Sequence, residues 1–129
     1  MFTAGVKHRL RAIHTLAAEG GAEASPHAHD YVVGWSCETR DLNAKGYSVD
    51  ISLLKQCLGS LCRRLQDSDL NALPFFASRT PSVENLAVLL TGELRLCLGP
   101  AAADIARSEL TIWEADEAWA SYAESWDAR

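Results

Sequence analysis

Two histidines stand two residues apart in Ser25-Pro26-His27-Ala28-His29-Asp30-Tyr31. On a strand, alternate side chains point to one face, so both imidazoles can reach one cation. His14 lies in the stretch that reads as the preceding strand, and hairpin-like pairing would set it opposite the pair. Three neutral imidazoles with an open fourth position form the ligand set of a catalytic zinc. Taken alone, the same His-x-His more often reads as surface or core polarity with no metal, and His8 competes with His14 as the third ligand.

These histidines need two paired strands to hold them. Residues 6–16 predict the first, with Val6, His8, Leu10, Ala12 and His14 on one face and Arg9, Arg11 and Ile13 on the other. The Gly-rich stretch 17–26 is a loop. Residues 29–40 predict the second strand, where Tyr31, Val33, Trp35 and Cys37 alternate with Val32, Gly34 and Ser36. Leu54, Cys57, Leu58, Leu61, Cys62 and Leu65 recur at helical spacing over 52–65, with Asp50 or Ser52 as cap.

After a loop over about 67–79, a second helix is expected over 81–98, with Thr80 as N-cap and Pro81 in the first turn. Gly99-Pro100 stops it. Residues 108–114 and 118–123 complete four strands. The order β-β-α-α-β-β is an α+β fold with two helices on one face of the sheet. Its two open edges must be covered or paired, and pairing with further copies of the chain gives a ring-like homo-oligomer.

The chain of 129 residues fits one domain, 1–129. With 48% hydrophobic and 22% charged residues, it has too much apolar content for a disordered chain. A net charge of −5, with no basic cluster larger than Arg63-Arg64, argues against a nucleic-acid partner. No apolar run approaches the ~20 residues that cross a bilayer, and the N-terminus does not read as a signal peptide. A cytoplasmic protein without a membrane partner is expected, with Cys37, Cys57, Cys62 and Cys97 all reduced. Trp119 and Trp126 read as packing residues.

Four short patterns then fall in a telling order. Leu10-Arg11-Ala12-Ile13-His14-Thr15-Leu16 resembles the opening F-x-A-x-H-x-L strand of the 6-pyruvoyl-tetrahydropterin synthase family, which includes the 6-carboxytetrahydropterin synthases. His27-Ala28-His29 resembles its H-G-H. Gly46-Tyr47-Ser48-Val49-Asp50-Ile51 resembles its helix entry, and Pro81-Ser82-Val83-Glu84-Asn85-Leu86-Ala87 its P-T-x-E-N-L-A. Ile112-Trp113-Glu114-Ala115 resembles the end of its third strand. The resemblance covers about residues 6–122 and favours His14 over His8.

That resemblance implies the T-fold, in which three copies join their sheets into a barrel and two trimers stack as a homohexamer. It implies zinc on His14, His27 and His29, and a small pterin-like ligand anchored by Glu114. A carboxylate suits that task, because a 2-amino-4-oxopyrimidine edge offers two parallel N–H donors. Ser82 stands where the family has a threonine near the pterin, and it is otherwise a helix-terminus residue.

The chain departs from the family's acid–base set. Four residues before His27, where the family has a cysteine, stands Glu23. In Leu65-Gln66-Asp67-Ser68-Asp69-Leu70-Asn71, Gln66 and Asp67 replace the family's aspartate and histidine. The implied reading is therefore a pterin-like ligand-binding homolog with altered or lost catalysis. The alternatives are a zinc-dependent lyase on a dihydroneopterin (triphosphate) side chain, with Glu23 as base and Asp67 assisting, and a structural or partner-binding ring without ligand.

Overall fold

A computed structural model describes residues 1–127, so the last two positions of the expected 1–129 domain lie outside the described residues. The elements in chain order are β1 (Phe2–His14), β2 (His27–Thr39), α1 (Ile51–Leu65), α2 (Val83–Leu98), β3 (Arg107–Ala115) and β4 (Ala118–Ser125), joined by short 3-10 turns. The four strands form one antiparallel sheet in the order β1-β2-β3-β4, and the expected α+β order holds.

One face of the sheet carries the core. Leu10, Ala12, Tyr31, Val33, Trp35, Leu110 and Ile112 are at most 1% exposed and meet Leu54, Leu58, Leu86, Leu90 and Leu94 from the two helices. Fully burying such a side chain is worth about 1.5–3 kcal/mol, so this two-layer seam is what fixes strand register. The Trp35 indole sits deep inside it and donates to Ser108 Oγ at 3.0 Å, which removes the cost of a buried unpaired N–H. On the open face, Gly34 lies beneath Trp113; a Cβ there would meet the indole at 2.9 Å. Lys7 Nζ stands 4.7 Å from that ring.

Several element ends differ from expectation. The first strand starts earlier and stops at His14, and β2 starts at His27, so both histidines of the His-x-His belong to the strand. Asp50, not Ser52, caps α1 by accepting from Ser52 N and Leu53 N at 3.0 and 3.3 Å. The second helix starts at Val83 with Ser82 as its cap; Pro81 and Thr80 precede it, and Thr80 instead offers its carbonyl to Asn85 Nδ2.

Two readings need correction. Cys57 and Cys97 form a disulfide between α1 and α2, with Cα atoms 5.8 Å apart, so only Cys37 and Cys62 are free thiols. Cys57 and Cys62 do diverge along α1, as five-residue spacing requires, but the bonding partner comes from the neighbouring helix. Val83–Asp104 has the length and average hydropathy of a membrane span, although Glu84, Glu93 and Arg95 interrupt it. Its Leu86, Leu90 and Leu94 are 0% exposed against the sheet, so its apolarity is core-building. Second, Trp126 is buried as expected, whereas Trp119 is 62% exposed on β4.

The C-terminal half of the β1 edge is covered by its own chain. Asp67 N donates to Arg11 O, Ile13 N to Ser68 O, and Asn71 both donates to Thr15 O and accepts from Thr15 N. This segment fixes the end of β1, where His14 sits.

Candidate functional site

The antiparallel register of β1 and β2 places His14 directly opposite His27 and Ala12 opposite His29. Period-two alternation turns all three histidines to the helix-bearing face. The small Ala12 leaves room beside His29, and the three rings close into a triangle with centroids 4.5, 4.9 and 5.0 Å apart. His14 is 2% exposed.

Backbone carbonyls orient two of these rings. His14 Nδ1 lies 2.7 Å from Pro81 O, and His27 Nδ1 lies 2.8 Å from Ser25 O. A carbonyl only accepts, so each Nδ1 must carry the proton, and in the neutral ring each Nε2 presents a bare lone pair. Both Nε2 atoms are buried without a hydrogen-bond partner. Orphaned buried polar atoms are rare and ask for an explanation.

Glu23, on the 3-10 turn Gly21–Ala24, reaches into the same place. Its Oε2 is 3.0 Å from His27 Nε2. With a neutral ring both atoms are acceptors and the contact is no hydrogen bond; with a protonated ring it is an ion pair. One donor atom each from His14, Glu23, His27 and His29 lies within 4.8 Å of all the others. Such a set fits a divalent metal with nitrogen and oxygen ligands, since tetrahedral zinc with bonds near 2.1 Å spaces its ligands by about 3.4 Å. His29 titrates below the ordinary imidazole range, because burial and then His14 disfavour its charged form while Glu114 and Glu23 oppose them. A neutral ring is the ligating form.

Glu114, near the end of β3, lies on an exposed stretch and acts electrostatically on both His29 and Tyr31. It is thus near enough to His29 and Tyr31 to affect the titration of both. Ser82 does not enter the cluster; its hydroxyl caps α2 through Asn85 N at 3.1 Å. The adjoining Pro81 carbonyl is the group that touches the site. Asp67 lies on the other side of β1, where its carboxylate is 3.3 Å from Arg11 Nε. Gln66 is held beside it, accepting from Arg11 N. Neither reaches the histidines of its own chain.

One polar group of this site goes unnoticed in the sequence reading. Tyr31 is 1% exposed, its ring lies 5.4 Å from His29, and its hydroxyl has no partner. Burial, then the charges of Glu114 and Glu23, raise its pKa. The signal was available, since Tyr31 continues the period-two series His27, His29.

Comparisons with known proteins give the family and the fold. A family model for 6-pyruvoyl tetrahydropterin synthase matches residues 3–125. No curated protein matches the chain in sequence. Among solved structures, the Caenorhabditis elegans 6-pyruvoyl tetrahydropterin synthase superposes with a TM-score of 0.81 at 18% identity, over 96% of each chain. The Plasmodium vivax synthase gives 0.77 at 16% identity, over 97% of this chain and 99% of that one. A second P. vivax structure, with a catalytic glutamate replaced by alanine, gives 0.76 at 15% identity over the same shares. These likenesses show the T-fold, and the family match over nearly the whole length places this chain in the 6-pyruvoyl tetrahydropterin synthase family.

Proposed function

We propose that this protein binds a pterin-like ring and acts on its hydroxylated side chain at a zinc centre held by His14, His27 and His29, with Glu23 as the general base. The observation that carries this reading is the convergence of four metal-ligating side chains around two bare, buried Nε2 lone pairs. Zinc bound there would supply a Lewis acid for side-chain hydroxyls. The chain's own residues do the rest. Glu114 accepts the paired N–H donors of the pyrimidine edge and fixes the ring in the mouth. The Pro81 and Ser25 carbonyls keep His14 and His27 in the ligating tautomer. Glu23, half-exposed at the cluster, accepts the side-chain proton. That P. vivax structures exist with a catalytic glutamate replaced by alanine or cysteine supports a carboxylate in such a role.

The substrate class is a dihydropterin with a polyol side chain, such as dihydroneopterin or its triphosphate. Asp67, tied to Arg11 on the far side of β1, enters only as a group offered to the site of a neighbouring copy, and Ser82 only through its place beside Pro81. The assembly is a homohexamer of two trimers in the cytoplasm. Disulfides are rare there, so the state of Cys57 and Cys97 tests that location.

A second reading, pterin binding without turnover, is favoured by Gln66, which cannot titrate, and by the engagement of Asp67. The deciding experiment incubates the zinc-loaded protein with dihydroneopterin and its triphosphate and follows side-chain loss. Turnover that falls about 10²–10⁴-fold in Glu23→Gln supports the lyase. Pterin binding with no turnover selects the second reading, and absence of both metal and pterin binding refutes the two together.

A further inference from the structure

The turn that carries Glu23 is lightly held. Gly20 and Gly21 take φ of 69° and 58°, in the left-handed region that favours glycine, and a Cβ on either would meet nothing. Every residue from Ala17 to Pro26 is exposed, so no core packing holds the segment. Its backbone ties are few: Leu16 N donates to Glu23 O at 2.7 Å, Glu19 N to Leu16 O and Ser25 N to Ala22 O. Yet its one acidic side chain at the centre points inward, to 3.0 Å from His27 Nε2. Two lone-pair atoms at that separation repel unless a proton or a metal cation lies between them, and the presence of His14 and His29 donors within 4.8 Å of the same two atoms favours the metal.

From this we propose that Glu23 is itself the fourth metal ligand of the resting protein, so that the turn Gly21–Ala24 closes the centre as a releasable strap. The inference rests on the three histidines holding a metal, as in the reading above, and goes beyond it in replacing an open fourth position by a self-ligated one. A carboxylate with three neutral imidazoles matches the oxygen and nitrogen donors that zinc accepts. A substrate hydroxyl arriving at the centre would release the Glu23 carboxylate on the Gly20-Gly21 hinge and leave it within reach of that hydroxyl's proton. The proton moves from the hydroxyl oxygen to the carboxylate, and no further reactant is needed. One side chain then serves first as plug and afterwards as base.

The test uses cobalt(II) alone as probe, in full-length wild-type protein and Glu23→Ala. Glu23 is half-exposed on a surface turn, so the substitution leaves the core untouched. Expected in the wild type are stoichiometric cobalt and a four-coordinate visible spectrum that azide does not alter. In Glu23→Ala, azide shifts the spectrum, and cobalt affinity measured against a competing chelator falls by about ten-fold or more, as loss of a direct ligand should cost at least what an outer partner does. If affinity is unchanged and azide shifts both spectra alike, Glu23 is not a ligand and this inference fails while the three-histidine centre stands. If the wild type takes up no stoichiometric cobalt, whereas a surface histidine tag does under the same conditions, the metal centre fails and the strap with it.

Discussion

Replacing His14 by alanine separates the structural and metal-binding duties of one buried side chain. Without metal, the substitution removes the bond to Pro81 O, worth about 1 kcal/mol net, and leaves that carbonyl orphaned at about 1–3 kcal/mol. Loss of the already unpartnered Nε2 offsets about 1 kcal/mol of this. The net is a destabilisation of about 1–3 kcal/mol. At about 2.1 cal/mol/K per residue, the 129-residue chain has an unfolding entropy near 0.27 kcal/mol/K. The metal-free Tm should then fall by about 4–11 °C. With zinc at a thousand times its Kd, the wild type gains about 4.1 kcal/mol, a rise of about 15 °C. If the variant binds about a hundred-fold more weakly, the same zinc gives about 1.4 kcal/mol and about 5 °C. Differential scanning calorimetry in chelator and in buffered zinc reads all four values. Equal zinc-induced rises in both proteins would refute the assignment of His14 as a ligand.

Further outcomes follow from single groups. Burial pushes the Cys37 thiol up to about 12 and Cys62 up to about 11, so neither should react with a thiol reagent in the native protein at pH 8. Denaturation without reductant should release two thiols and with reductant four; four without reductant would deny the Cys57–Cys97 bond. Reducing that bond, whose ends lie 40 positions apart, should lower stability by up to about 4 kcal/mol, read as a Tm shift. Tyr31→Phe removes a buried hydroxyl that has no partner, so stability should hold or rise by about 1 kcal/mol in denaturant titration; a clear loss would reveal a partner for it. Asp50→Ala should cost about 1 kcal/mol in the same assay, since two N–H groups of α1 lose their acceptor.

The periodic parts of the fold were legible because burial and periodicity coincide there. The alternation in β2 and the stripe of α1 name the residues that are buried. Element ends were less legible, because caps are decided by individual hydrogen bonds: Thr80-Pro81-Ser82 offers two capping side chains, and only the fold brings Pro81 O onto His14 and so leaves the cap to Ser82. The convergence of the three histidines could be anticipated from period-two spacing and a hairpin. The disulfide could not, since Cys57 and Cys97 are brought together by the packing of α1 on α2, which no local pattern encodes. For the same reason the sequence showed Glu23 only as a counted position; its approach to His27 depends on the path of a Gly-rich turn. Asp67 was drawn away by Arg11, a pairing across the strand face that depends on how the segment after α1 folds back along β1.

The central claim is that one mouth, bounded by the histidine triangle and Glu114, receives a pterin ring. Isothermal titration of zinc-loaded wild-type protein and Glu114→Gln with neopterin tests it most directly. Saturable binding is expected, one ring per chain, weakened in Glu114→Gln by about ten-fold or more, as loss of a charge-assisted pair of hydrogen bonds requires. Equal affinity in the two proteins, or no heat from either, would contradict it.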